Sequence, residues 1–233
     1  MAELTSVGRF DPELGVWLRI PDAALPAPRP ALFLDRDGVI VEDPGYLSRA
    51  SQMVIIDGAM ELIALANTRN IPVVEVTNQA GIGRGYYGWN EFAEVEAALG
   101  AALARGNAVI DAVFACPYHR DGIGAWAHPA HPCRKPRPGM LLAAARLMGL
   151  DLSRSWIFGD KLGDLVAGQS AGLAGGVHVL TGHGVADRPR VLAWKPEHYD
   201  LRLADSIGAA LGVIDLIDSA GPLPGMQTEP TRS

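Results

Sequence analysis

Ala31-Leu32-Phe33-Leu34-Asp35-Arg36-Asp37-Gly38-Val39-Ile40 is the stretch that decides the fold. Four apolar residues read as a short buried strand, and two carboxylates separated by one residue follow at its C-terminal end. In an open parallel α/β sheet, ligands bind just beyond the C-terminal ends of the strands. For Asp35 and Asp37 to converge there, the chain must leave strand geometry between them, and Gly38 eases that departure. The pair suits a carboxylate nucleophile, a second carboxyl for proton transfer and a bound cation that suppresses their mutual repulsion. Standing alone, Asp-x-Asp-Gly reads more readily as a strand ending in a solvated acidic turn, so the rest of the chain has to discriminate.

Downstream, strand and helix patterns alternate. Ala59, Leu62, Ile63 and Ala66 fall at helical spacing, and Ile71 to Val76 is a β-branched run that predicts a second strand. A glycine-rich segment follows, then a helix with Phe92, Val95, Leu99, Ala102 and Leu103 on one face. Val109 to Ala115 predicts a third strand, Pro138 to Gly149 a helix, Ser155 to Gly159 a fourth strand and Gly176 to Leu180 a fifth. Ile207, Ala210, Leu211 and Ile214 give a last amphipathic helix. This order predicts an α/β fold with a doubly wound, Rossmann-like parallel sheet and right-handed crossovers. Residues 1–30, rich in proline, read as an N-terminal extension; residues 31–220 form one domain; and residues 221–233 read as a mobile C-terminal tail.

Composition narrows the class. The chain has 233 residues, 48% hydrophobic and 20% charged, as an ordinary globular protein does. A net charge of −6 without a basic run argues against nucleic acid as a partner. No stretch approaches the roughly 20 apolar residues needed to cross a bilayer, so no membrane partner is expected. The N-terminus lacks the basic-then-apolar pattern of a secretory signal, and its two cysteines make no disulfide framework, which leaves the cytoplasm as the expected compartment.

Three further motifs carry chemistry. Thr77-Asn78-Gln79, followed by Ala80-Gly81-Ile82-Gly83-Arg84-Gly85, puts a hydroxyl, amides, open backbone N–H groups and a guanidinium at a strand end, a phosphate-binding arrangement. Gly159-Asp160-Lys161-Leu162-Gly163-Asp164 places two acids four residues apart where a strand leads into a helix, as half of a magnesium site would. Arg134-Lys135-Pro136 offers two cations that could neutralise a transferring phosphoryl group. Singly, these are a flexible turn, a helix N-cap and a solvated surface pair. In this order, each near a predicted strand end, they form the set expected for metal-assisted phosphoryl transfer to a carboxylate.

The order Asp35-x-Asp37-Gly, Thr77-Asn78, Lys135 and Gly159-Asp160-x3-Asp164 resembles the haloacid dehalogenase (HAD) superfamily of phosphotransferases. More narrowly, FLDRDG, TNQAGIGRGYY, CRKPRPGM and FGDKLGDL resemble the D-glycero-D-manno-heptose 1,7-bisphosphate 7-phosphatase and histidinol-phosphatase family, from about Ala31 to Gly182. The resemblance implies a HAD-like fold without a large cap domain. It implies that Asp35 attacks phosphorus and forms an aspartyl-phosphate, and that Asp37 protonates the leaving alkoxide and then activates water. Asp35, the backbone carbonyl of Asp37, and Asp160 would hold Mg²⁺, with Asp164 in the outer shell. Thr77, Asn78 and Lys135 would hold the phosphoryl oxygens, while Arg134 and Lys161 would help hold the substrate.

One loop departs from the family pattern. Relatives carry Cys-x-His and later Cys-x-Cys-Arg-Lys-Pro around a structural zinc. This chain has Cys116-Pro117-Tyr118-His119 and His131-Pro132-Cys133-Arg134-Lys135-Pro136. Cys116, His119, His131 and Cys133 still offer two sulfurs and two imidazoles for Zn²⁺. The alternative is a metal-free loop held by packing of Tyr118, Trp126 and prolines. His178, His183 and His198 match no motif and read as surface or core histidines. The expected activity is Mg²⁺-dependent hydrolysis of a small phosphorylated metabolite, with heptose bisphosphate first and histidinol phosphate or another sugar phosphate second. A phospho-accepting receiver and a non-catalytic binding module are the alternatives of a different class. The acid at Asp37, which lets a phosphoenzyme turn over, argues against the receiver.

Overall fold

Leu32, Phe33 and Leu34 have no exposed surface, and they form the strand around which the other elements assemble. The computed structural model describes residues 8–21 and 28–218. In chain order these form β1 (Arg9–Asp11), β2 (Val16–Arg19), β3 (Leu32–Leu34), α1 (Ala59–Thr68), β4 (Val73–Asn78), α2 (Ala80–Gly83), α3 (Trp89–Ala104), β5 (Ala112–Cys116), α4 (Gly139–Met148), β6 (Trp156–Gly159), α5 (Leu162–Ala171), β7 (Gly175–His178), α6 (Gly184–Ala193), β8 (Asp200–Leu203) and α7 (Val213–Asp218). The strands make one sheet in the order β1-β2-β5-β4-β3-β6-β7-β8. From β5 to β8 every pairing is parallel, with Phe33 opposite Val74 on one side and Ile157 on the other.

Alternate residues of the strands feed two cores. Leu32 and Leu34 pack with Val73, Phe158 and the apolar faces of α1 and α3, whereas Phe33 packs with Val74, Phe114, Ile157 and the buried residues of α4 and α5. A strand covered on both faces shows a continuous apolar run rather than an alternating one, which is why Ala31 to Leu34 reads as it does. Each such side chain contributes roughly 1.5–3 kcal/mol by leaving water. Ala59, Leu62, Ile63 and Ala66 are all buried on α1, and Phe92, Val95, Leu99, Ala102 and Leu103 are buried on α3. The α/β class and the parallel sheet therefore match the sequence pattern.

Several elements differ from the sequence expectation. Val16–Arg19, within the stretch read as an N-terminal extension, is a buried strand, antiparallel to β5 with Trp17 opposite Ala115 and Leu18 opposite Phe114. The segment read as an N-terminal extension thus adds two strands to the sheet. β8 and α6 have no counterpart in the sequence reading, because β8 carries only partly buried or exposed residues and α6 has Pro189 inside it. The last helix is split into a 3₁₀ turn at Ile207–Ala210 and α7, although Ile207 and Ile214 are both buried as its apolar face requires. The tail from residue 221 lies outside the described residues. No helix among the described residues is long and apolar enough to cross a membrane.

Candidate active site

Asp35 follows β3 directly, and its backbone N–H still donates to the Phe158 carbonyl at 3.0 Å, so sheet register fixes where its carboxylate emerges. The next residues turn sharply. The Arg36 carbonyl accepts from the N–H groups of Val39, Ile40 and Val41, and Gly38 sits at φ +89°. A side chain could not stand there in any case: a Cβ on Gly38 would lie 2.5 Å from Asp160 Oδ2. The departure from strand geometry after Asp35 is thus present and is imposed by close approach as well as by φ.

One buried group of charges forms around Asp35. Lys135 Nζ lies 2.9 Å from Asp35 Oδ1 and 2.7 Å from Asp164 Oδ1, and donates to the Val76 carbonyl at 2.6 Å. Burial by itself would lower the Lys135 pKa, but Asp164 and Asp35 raise it well above the ordinary lysine value, so this ammonium stays charged. Asn78 locks Lys135 in place through a two-way clamp, its Nδ2 donating to the Lys135 carbonyl at 3.0 Å and its Oδ1 accepting from the Lys135 N–H at 3.1 Å. Asp160, at the end of β6, is fully buried, and burial together with Asp35 and Asp164 pushes its pKa up to about 7. Ligand oxygens of Asp35, Asp160 and Asp164 lie within 4.8 Å of one another. Three crowded carboxylates faced by Lys135 and the half-exposed Lys161 leave a negative excess that an oxygen-seeking divalent cation fits. Asp164 also accepts from the Lys161 N–H at 3.1 Å in the first turn of α5, so its cap role and its place near the cation site coexist.

Asp37 stands on the other side of the turn in a separate network. Arg36 Nε donates to Asp37 Oδ1 and Arg36 Nη2 to Oδ2, each at 3.1 Å. Gln79 Nε2 donates to Asp37 Oδ2 and to Thr77 Oγ1, both at 2.8 Å, while Gln79 Oε1 accepts from the Tyr87 hydroxyl. Gln79, read from the sequence as a phosphate contact, is placed here as a brace between Asp37 and Thr77. Arg36 is completely buried, with Nη1 3.0 Å from Glu96 Oε1 and its guanidinium carbon 5.1 Å from the centre of the Phe92 ring. Burial raises the Asp37 pKa against the opposing pull of Arg36. Glu75 lies in the same buried region; among the described residues neither of its carboxyl oxygens has a hydrogen-bond partner, and burial raises its pKa well above the usual range. Sequence reading missed Arg36, Glu75 and Glu96. The one available signal was an arginine inside an otherwise buried turn motif.

A cavity of about 420 Å³ opens over these groups, lined among others by Asp35, Asp37, Tyr46, Thr77, Lys135 and Lys161. A second bay of about 510 Å³ shares Asn78, Lys135 and Lys161 with it and adds Arg190. Arg134 faces both and is held by donating to the Tyr118 carbonyl at 2.8 Å. Arg84 is turned elsewhere: its guanidinium meets the Tyr46 hydroxyl and Asp121, each at 2.8 Å, so it braces the rim rather than reaching the carboxylates. His183, read as a surface or core residue, lines both bays and reaches Asp43 at 3.1 Å. Tyr87 lines the cavity, whereas Trp89 packs against Trp17 and Phe10.

Of the two readings of the Cys/His loop, the described residues do not support the zinc site. Among the described residues, no three of Cys116, His119, His131 and Cys133 bring ligand atoms together. The His131 ring stacks on Tyr118 at 3.6 Å, Cys133 Sγ donates to the Leu14 carbonyl at 3.0 Å, and His119 is turned to Arg84 and Asp121. Burial pushes the Cys116 thiol up to about 12 and the Cys133 thiol up to about 11. With Trp126 set edge-on to Tyr118 at 5.4 Å, this loop is held by packing.

Comparison with known proteins identifies relatives of the chain. A family model described as HAD-hydrolase-like matches residues 132–210. The D-glycero-beta-D-manno-heptose-1,7-bisphosphate 7-phosphatase of Mesorhizobium japonicum is 48% identical over 177 residues, which cover 76% of this chain and 82% of that protein. A D-glycero-alpha-D-manno-heptose-1,7-bisphosphate 7-phosphatase of Burkholderia mallei is 44% identical over 144 residues, 61% of this chain and 76% of that one. Among solved structures, a D,D-heptose 1,7-bisphosphate phosphatase from B. bronchiseptica, complexed with magnesium and phosphate, has a TM-score of 0.68 at 30% identity, covering 79% of this chain and 97% of that one. A crystal structure from Mesorhizobium loti, described as HAD-like, has a TM-score of 0.78 at 40% identity, covering 91% and 98%.

Proposed function

The chain belongs to the HAD-like phosphatases, in the family that holds the D-glycero-D-manno-heptose 1,7-bisphosphate 7-phosphatases, and we propose that it removes the 7-phosphate from that sugar bisphosphate. The observation that carries the phosphatase chemistry is the position of Asp35, gripped on one oxygen and free on the other. Lys135 Nζ and the Arg36 N–H both reach Oδ1 at 2.9 Å, while no donor among the described residues reaches Oδ2. Oδ2 is the oxygen that attacks phosphorus.

In the first step a new bond forms between Asp35 Oδ2 and phosphorus as the ester P–O bond breaks, and the departing alkoxide takes the proton of Asp37. Burial favours the protonated carboxyl that this step requires. The Asp37 anion left behind is stabilised by Arg36 and Gln79, whose donors already point at its two oxygens. In the second step that anion removes a proton from water. The oxygen bonds to phosphorus, the P–O bond to Asp35 breaks, and phosphate and free Asp35 result. Because Gln79 donates into Thr77 Oγ1, the hydroxyl proton of Thr77 remains available to a phosphoryl oxygen. Asn78 keeps one amide N–H for the same purpose. Asp35, the Asp37 carbonyl and Asp160 would hold Mg²⁺, with Asp164 behind them; bound there, it would offset charge on the transferring group.

The two bays joined across Lys135 and Lys161 support a substrate with two phosphates. One lies over Asp35, and the second has Arg134 and Arg190 at its wall. The test is phosphate release from the α and β anomers of heptose 1,7-bisphosphate, from histidinol phosphate and from simple sugar monophosphates, each with Mg²⁺ and with EDTA. The expected result is Mg²⁺-dependent turnover with the highest kcat/KM on one bisphosphate anomer. Comparable kcat/KM on all the monophosphates would reject the bisphosphate assignment, and a higher value on histidinol phosphate would replace it.

A further inference from the structure

His178 is the last residue of β7, has no exposed surface, and lies opposite Gly159 in the sheet. No step of the reaction uses it, yet both ring nitrogens are engaged. Nδ1 lies 2.9 Å from Arg188 Nε, and Nε2 lies 3.0 Å from the backbone carbonyl of Asp160. An arginine can only donate, and a carbonyl can only accept. Nδ1 must therefore present its lone pair to Arg188, and Nε2 must carry the hydrogen that is donated to Asp160. Arg188, on α6, is itself anchored by donating through Nη2 to the carbonyls of Ala204 at 2.8 Å and His178 at 3.3 Å. One arginine thus selects the tautomer, and the tautomer decides whether the Asp160 carbonyl is held.

The side chain of Asp160 is held from its other end. Its Oδ2 accepts from the His183 N–H at 2.7 Å and is packed between Gly38 and Gly182, where a Cβ at either position would come within 2.5 Å of it. With its main chain fixed by His178 and one carboxylate oxygen fixed by the loop after β7, Asp160 has little rotational freedom left. We infer that His178, in the tautomer imposed by Arg188, is a positioning residue that sets the affinity of the Asp35–Asp160 site for Mg²⁺. The inference rests on the reading that Asp160 is a Mg²⁺ ligand. Groups that orient a ligand from behind typically change metal affinity 10–100-fold when removed.

The test is calorimetric titration of the metal-free full-length protein with Mg²⁺, a readout independent of turnover. His178→Leu is expected to weaken Mg²⁺ binding by about 10–100-fold. His178→Gln, whose Nε2 can still donate to the Asp160 carbonyl, is expected to restore most of the affinity, and Arg188→Met to weaken it by freeing the ring to adopt the other tautomer. At saturating Mg²⁺ the kcat of these variants should stay near that of the parent, since no reacting atom is touched. Asp160→Asn separates the two ideas. If it binds Mg²⁺ like the parent, the ligand reading fails. If it loses Mg²⁺ while His178→Leu and Arg188→Met both retain parental affinity, the positioning role fails alone. A Gln variant as weak as the Leu variant would also overturn it. Should His178→Leu not fold, Arg188→Met and His178→Gln still decide the matter.

Discussion

Among the described residues, the acidic metal-ligating set assembles and the Cys/His set does not. Asp35, Asp160 and Asp164 come within 4.8 Å of one another, while Cys116, His119, His131 and Cys133 do not converge. The acidic set stands at the ends of β3 and β6 and in the first turn of α5, where parallel register and helix geometry leave little freedom. In the second set only Cys116 is on a strand; the rest belong to the irregular stretch between β5 and α4. There the rings find better partners in each other, as in the stack of His131 on Tyr118. A strand end places a ligand by scaffold, whereas a loop places it by whatever packs best.

The largest effect that separates the two sets is on turnover. Asp35→Asn should lower kcat by at least about 10³-fold, measured as phosphate release, because no other group can take over bond formation to phosphorus. Residual activity within tenfold of the parent would mean another nucleophile. Next comes Lys135→Met, which leaves Asp35 and Asp164 buried without their shared cation. A loss of about 3–5 kcal/mol in urea unfolding is expected, and an unchanged midpoint would show that the pair is not buried in solution.

Smaller effects arise from proton linkage. With the metal-free Asp160 pKa at about 7, protons compete with Mg²⁺ below that pH. Apparent Mg²⁺ affinity should fall by about tenfold per pH unit below pH 7 and level off above it; a flat profile from pH 5 to 8 would contradict the raised value. Glu75 should act on stability. Its folded pKa is raised, so the native state keeps a proton that the unfolded chain releases. Stability relative to Glu75→Gln should therefore be fully present below the unfolded carboxylate pKa, and fall as pH rises above it towards the folded value. Equal pH dependence of the two melting temperatures would count against a buried, protonated Glu75. The smallest effect belongs to the loop. Cys133→Ser should change stability by about 1 kcal/mol, the scale of one hydrogen bond, and metal analysis of the purified protein should find no zinc. One zinc per chain that disappears with Cys133 would restore the metal loop.

Much of the acidic site was legible because each part lies within a few residues of an apolar run. Phe33-Leu34 announces Asp35, Val76 announces Thr77, and Ile157-Phe158 announces Asp160, since buried parallel strands deliver the residues after them to one edge of the sheet. Lys135 was legible as a cation beside Arg134, but its pairing with Asp35 was not. It reaches Asp35 from an irregular stretch and is held by Asn78, a contact 57 residues apart that no periodicity encodes. Gln79 and Arg84 show the opposite case, since their chemistry suits phosphate but Gln79 Nε2 donates to Asp37 and Thr77, and Arg84 Nη1 and Nη2 donate to Tyr46 and Asp121. β2 was read as part of the N-terminal extension, because nothing within Val16-Trp17-Leu18 shows the pairing with β5 that buries it.

By itself the sequence determined the α/β class, the central strand and the order in which acids, hydroxyl and lysine meet the edge of the sheet. These depend on local apolar runs and on residue chemistry. Tertiary structure alone decided that Arg36 holds Asp37 from beneath, that His178 faces the Asp160 carbonyl, and that the cysteines and histidines stay apart. Those outcomes depend on distances between segments remote in the chain, where burial makes each unpaired charge or donor costly enough to dictate its partner.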